Sequence, residues 1–174
     1  MRLLAAVGAL AIILAVFAGV YFFAGFYDVA AAVGDPVPVK WALIRTRNAS
    51  IARHEDEGGN APFPLDDQTV IQQGARDFAN AGCVHCHGGP GVKWSKFSEG
   101  LNPDPPDLKD VANERSAAGI FWVIKNGIRM TGMPSFGKAG LTDDQLWHLA
   151  AFVKAIPKVS DADYRTWTAA SANP

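Results

Sequence analysis

The chain has 174 residues, with 16 lysines and arginines against 17 aspartates and glutamates, and two cysteines. A balance this close to neutral gives, for the chain as a whole, no case for a nucleic-acid surface or a polybasic membrane tether, and two cysteines exclude a disulfide-dense scaffold. The length suits one ordinary domain plus an appended segment.

The appended segment comes first, because residues 3–26 contain no charged side chain. A helix rising 1.5 Å per residue needs about 20 apolar residues to cross a hydrocarbon core of about 30 Å, and this run is longer. It ends in Tyr21, Phe22, Phe23, Phe26 and Tyr27, rings suited to the headgroup level of a bilayer. The rival reading is a cleavable signal peptide, for which Arg2 supplies the positive start and Ala30, Ala31 and Ala32 a small-residue site. The apolar region of such peptides runs only ~7–15 residues, so residues 1–27 are expected to be an uncleaved anchor. Arg2 precedes the span, and Asp28 and Asp35 are the first charges after it. That asymmetry favours the N-terminus inside and the remainder outside.

Residues 28–64 form a linker and a juxtamembrane arm. Pro36 and Pro38 predict an extended exit from the membrane. A helix is then expected over about 39–54, with Val39, Leu43 and Ile51 roughly on one face and Arg45, Arg47 and Arg53 off it. Such an arm would lie on the domain or on a partner. The tripeptide at Asn48 matches a glycosylation acceptor, a motif short enough to arise by chance. "EDEGGNAPFP" breaks the helical pattern, and the soluble domain is read as residues 65–157.

Within that domain, "DDQTVIQQGARDFANAG" predicts a helix with aspartates at its start and Val70, Gly74 and Phe78 on one stripe. "KFSEGLNPDPPDL" reads as a loop. A second helix is expected over about 116–125, carrying Ile120, Phe121 and Ile124 and stopping at Asn126-Gly127. "IRMTGMPSFGKAG" is too rich in glycine, proline and small residues to be regular. "LTDDQLWHLAAFVKAIP" then opens with Thr142 as N-cap and Gln145 at the capping-box position, carries a stripe of Leu146, Leu149, Phe152 and Val153, and closes at Pro157. No strand pattern of useful length appears. The tail, residues 158–174, places Tyr164 and Trp167 either in a last turn packed on the domain or in a partner contact.

The first helix of the domain leads into "AGCVHCHGGPG", where Cys83, Cys86 and His87 fit CxxCH, the attachment signature of c-type haem. Cysteines three apart on one turn project two sulfurs to one side, each able to bond a vinyl group, and the next histidine offers a nitrogen to the iron. A structural zinc site needs four ligands, usually with a second cysteine pair downstream, and the chain has no third cysteine. A redox dithiol belongs with a βαβ pattern, which is absent. One haem c, bound through two thioethers, is therefore expected, and no disulfide. His85, between the cysteines, reads as a solvent-facing filler.

The sixth iron ligand has four candidates: Met130, Met133, His54 and His148. Met133 is favoured, because Gly132 and Pro134 could fix its loop and aim the thioether inward, with Met130 as a packing residue. His148 reads as a partly exposed helix residue and His54 as part of a solvated stretch.

These motifs in this order, "GARDFANAGCVHCHGGPG", "PPDL", "FWVIKNGIRMTGMPSFG" and "LWHLAAFVKAIP", resemble the class I cytochromes c, the bacterial membrane-anchored monohaem kind, over residues 65–157. The resemblance implies an all-α domain wrapped round one haem, whose first and last helices cross with Gly74 and Phe78 meeting Leu149 and Phe152. Phe78 precedes Cys83 by five residues, where many members have four. A centre with histidine and methionine on opposite faces has no vacant position and moves single electrons, so the protein is expected not to be an enzyme itself. Trp94, Phe121, Trp122 and Phe136 are candidate haem walls, with core packing as the alternative. Lys93, Lys96, Lys125, Arg129 and Lys138 flank the haem loops and could steer an acidic redox partner, although solvated surface gives the same scatter. The reading is a tethered electron carrier on the periplasmic side of the bacterial inner membrane. Its alternative is a subunit fixed in a larger respiratory oxidase, reductase or dehydrogenase; a haem peroxidase or gas sensor is the remaining class.

Overall fold

The structure, a computed structural model, describes residues 1–169. These are all-α, and their only pairing outside helices and turns is an isolated bridge between Gly89 and Val92. The chain divides into two compact units, Met1–Gly34 and a second beginning at Asp35. The first holds helix α1 (Arg2–Phe23), which buries none of its side chains and is long and apolar enough to cross a membrane. At its C-terminal end the rings of Tyr21 and Phe22 cluster with that of Tyr27, with centroids 5.0–6.3 Å apart. The length and composition of α1 support the single-pass anchoring expected from the uncharged run.

The second unit opens with α2 (Val37–His54) and a 3-10 turn, Glu55–Gly58. The helix starts two residues earlier than the sequence pattern suggested, because Pro38 falls in its first turn, where a missing N–H leaves no bond unmade. The arm is clamped to the domain at its C-terminal end. Ile51 is buried, and the Glu55 carboxylate accepts a hydrogen bond from Ser116 Oγ at 2.8 Å. Trp122 Nε1 donates to Glu57 at 3.2 Å, and a Cβ at Gly58 would stand 2.6 Å from the Phe121 ring.

The domain is centred on α3 (Gln68–Asn80) and α7 (Asp143–Ala155), its most extensive helix pair. Asp67 caps α3 by accepting the Thr69 N–H at 2.7 Å, and the expected capping box of Thr142 and Gln145 opens α7. Gly74 is required at their contact: a Cβ there would lie 2.0 Å from the His148 carbonyl oxygen. Phe78 meets Phe152 with centroids 5.2 Å apart, so the five-residue spacing to Cys83 preserves the expected contact. Beside this pair, Asp77 is buried, takes a hydrogen bond from Gln73 Nε2 at 2.9 Å, and comes within 3.4 Å of the His148 ring.

Two shorter helices complete the packing on α7: α5 (Leu108–Glu114), capped by Asp107, and α6 (Ala117–Asn126), capped by Ser116. Phe121 of α6 stacks on Trp147 at 4.3 Å and is part of the core. Trp122 stacks on His54 at 5.5 Å and holds the arm.

The tail packs on the domain as α8 (Asp161–Ala169), while residues 170–174 lie outside the described residues. Tyr164 is 3% exposed, stacks on Phe152 at 5.6 Å and lies against Gly89. Its buried hydroxyl has no hydrogen-bond partner among the described residues, and burial, with the charge of Cys83 adding, pushes the phenol up to about 12. A folded-state value above the ordinary 10 means that this group's contribution is complete below pH 10 and lost as pH rises towards 12. Tyr164→Phe is therefore expected to leave stability unchanged or slightly raised near neutrality, since it removes an unpaired polar atom. It should also flatten the decline between pH 10 and 12. Denaturant midpoints of the haem-loaded chain across that range check both outcomes.

Candidate haem site

The attachment turn is α4 (Cys83–His87), set between two glycines in the left-handed region. Gly82, at φ 79°, turns the chain out of α3, and Gly88, at φ 66°, ends the turn. A side chain at Gly88 would also stand 2.9 Å from the Val92 carbonyl oxygen. The following loop folds back: the Ser95 N–H donates to the His85 carbonyl at 2.8 Å, and Gly89 and Val92 exchange backbone bonds at 2.9 Å. His85 itself is exposed, 3.1 Å from Ser95 Oγ.

Both cysteines are free thiols. Burial pushes Cys83 up to about 12, opposed by a backbone hydrogen bond and reinforced by the charge of Cys86. His87 is held by one contact, its Nδ1 lying 3.1 Å from the Pro106 carbonyl oxygen. A carbonyl only accepts, so Nδ1 carries the proton and Nε2 keeps its lone pair for a metal. Burial lowers the imidazole pKa, with the Pro106 bond opposing, which favours the neutral form that a ligand must have.

Beside this turn lies a cleft of about 610 Å³, lined by Cys86 and His87 on one side and by Pro105, Pro106 and Leu108 on the other. That volume falls in the range of roughly 300–1,000 Å³ typical of cofactor pockets. Trp94, Ile156 and Val159 add apolar wall, and Glu99, Asp104, Asp107 and Asp161 an acidic rim beside Lys109. Two sulfurs on one turn, an imidazole oriented through its far nitrogen and a cleft with one apolar wall and an acidic rim fit a covalently attached haem. No group of three or more histidine, cysteine or carboxylate residues that could hold a bare metal ion occurs among the described residues.

Met133 sits half-buried against the hydrophobic core in a loop pinned at both ends. Its N–H donates to Thr131 Oγ1 at 3.1 Å and its carbonyl accepts from Ile128 N–H at 3.1 Å. Ser135 Oγ donates to the Lys125 carbonyl at 2.7 Å, and Gly127 at φ 69° leaves no room for a side chain, its Cβ position lying 2.8 Å from the Met133 oxygen. Gly132 faces Leu101, with a Cβ position 3.0 Å from its methyl group. Met130, by contrast, is 91% exposed and left-handed at φ 58°. Met133 is not among the residues lining the cleft beside His87.

The two other ligand candidates are engaged elsewhere. His54 Nδ1 donates to the Ser50 carbonyl, 2.6 Å away, and its ring stacks on Trp122; His148 stacks on Phe63 at 4.7 Å beside Asp77. Of the four candidate walls, Trp94 lines the cleft and Phe136 packs against the core. Of the five cations, Lys96 pairs with Glu99, and Lys125 with Asp143 at 2.7 Å. The Pro106 carbonyl is the functional group that sequence reasoning missed. "PPDL" was its signal, but a main-chain acceptor 19 residues from His87 has no side-chain signature.

Residues 69–153 match the family model described as Cytochrome C oxidase, cbb3-type, subunit III. The matched stretch, a little under half of the chain, contains the attachment turn, the Met133 loop and both central helices. It is a haem-binding domain similar to that oxidase subunit, following one apolar N-terminal helix, and the match is to a subunit rather than to a free-standing enzyme. Comparison with curated proteins and with solved structures gave no match.

Proposed function

We propose that the chain is the haem c-bearing electron-transfer subunit of a respiratory oxidase complex, held by α1 in the bacterial inner membrane with its haem domain on the periplasmic side. The observation that carries this reading is the attachment turn, with His87 oriented through Nδ1 by Pro106, inside a stretch that matches an oxidase subunit III. The family description favours the subunit over the free carrier, because it names a component of an assembly. The haem supplies a one-electron Fe(II)/Fe(III) change. Cys83 and Cys86 would carry the thioethers, and His87 through Nε2 and Met133 through its sulfur would hold the iron, within a class I cytochrome c fold over residues 65–157.

Support for Met133 comes from its half-burial and doubly bonded loop, set against the exposure of Met130. The acidic rim of the cleft and the pairing of Lys96 and Lys125 leave Lys93, Arg129 and Lys138 as the cations for steering a partner.

Solubilising native membranes in a mild detergent and isolating the chain tests the assignment. The chain is expected to emerge with other oxidase subunits and with oxygen-consuming activity. A single small haem-containing particle would return the protein to the free-carrier class.

A further inference from the structure

The arm is clamped to the domain at one end only. On a helix of 3.6 residues per turn, Val37, Trp41, Ile44 and Ile51 share one stripe. Ile51 is buried at the domain end, yet Val37 is 81% and Trp41 65% exposed, and Ile44 is also exposed. The same stripe is thus core at one end and bare at the other. Lys40 and Arg45 fall on its two flanks, and α2 contains four lysines and arginines and no acidic residue, in a chain whose net charge is −1. Arg47 turns towards the domain, where burial and the charge of Arg115 lower its pKa.

We propose that residues 37–44 lie in the headgroup layer of the membrane that α1 crosses, with Val37, Trp41 and Ile44 entering the acyl boundary and Lys40 and Arg45 on anionic lipid phosphates. Three features select this occupant. Residues 24–36 separate the arm from α1, and thirteen residues reach at most ~45 Å even when fully extended, so a lipid surface is always close. The basic helix complements an anionic lipid surface. Tryptophan beside basic residues is the composition of an interfacial helix. The contact would fix the stand-off and facing of the haem domain, because α2 continues rigidly into the bonds at Glu55 and Glu57. The inference rests on α1 as anchor and is independent of whether the domain serves an oxidase.

The test uses the full haem-loaded chain in lipid nanodiscs of phosphatidylcholine and phosphatidylglycerol, with plain or brominated acyl chains. Flotation first establishes that the chain stays with the discs; a chain that does not float would overturn the anchor and this inference with it. Subtracting the emission of Trp41→Phe from that of the unaltered chain isolates Trp41. Brominated lipid is expected to remove most of that component, and Lys40→Gln with Arg45→Gln, or high salt, to restore much of it. A Trp41 component equal in plain and brominated discs would overturn the proposal, whether water or a partner protein covers the stripe.

Discussion

Met133→Ala is expected to leave the haem covalently attached while opening one face of the iron. The reduced variant should bind carbon monoxide at neutral pH, whereas the unaltered protein, if Met133 holds the iron, should resist it. Its reduction potential should fall by on the order of 0.1–0.3 V, within the roughly 0.8 V range that axial ligands span. Haem-stained gels, the carbon monoxide difference spectrum and redox titration read the three effects separately. Unchanged spectra would move the ligand elsewhere. Met130→Ala is the matched comparison, because that side chain is exposed and its loss should alter neither spectrum nor potential. Carbon monoxide binding by the unaltered protein, together with turnover of peroxide, would favour the enzymatic class.

Gly74→Ala is expected to be the most damaging single methyl in the domain. Its Cβ would stand 2.0 Å from a backbone oxygen of α7 and 2.8 Å from the Phe152 Cβ, neither of which can swing aside as a flexible side chain does. Overpacking in a tight core costs about 1–3 kcal/mol and occasionally more, and a backbone clash belongs at the upper end. For a chain of this size ~3 kcal/mol corresponds to a thermal midpoint lower by roughly 6–12 °C. Gly100→Ala is the control, since nothing lies within 4 Å of that Cβ position; such a surface change is worth within about 0.5 kcal/mol. Calorimetry of the two haem-loaded variants distinguishes a close-approach glycine from a generic loss of chain freedom.

The features legible in the sequence were those written in local chemistry. The attachment turn needs only residues 83–87, the α7 start needs only Thr142 and Gln145, and α1 needs only an unbroken apolar run. What stayed hidden depends on residues far apart in the chain. Tyr164 is buried by Phe152 and Gly89, and because both lie far away in the chain the tail alone left a packed last turn and a partner contact equally open. Phe121 and Trp122 were candidate haem walls by composition, yet Gly58, Glu57 and His54 from the arm claim them. Helix α5 is too short for a period, although Asp107 before Leu108 was a usable cap signal. The apolar stripe of α2 was misplaced because Val39 and Leu43 matched a helical spacing with Ile51 that Trp41 and Ile44 match better.

The bond that aims His87 ends on a main-chain oxygen. Such an acceptor neither titrates nor disappears when a side chain is exchanged, so the aim of the imidazole depends on the path of the 105–106 segment alone. Two consecutive prolines stiffen that path by fixing φ. Little nuclear rearrangement should therefore accompany each change of oxidation state, leaving the speed of electron hopping to distance and driving force.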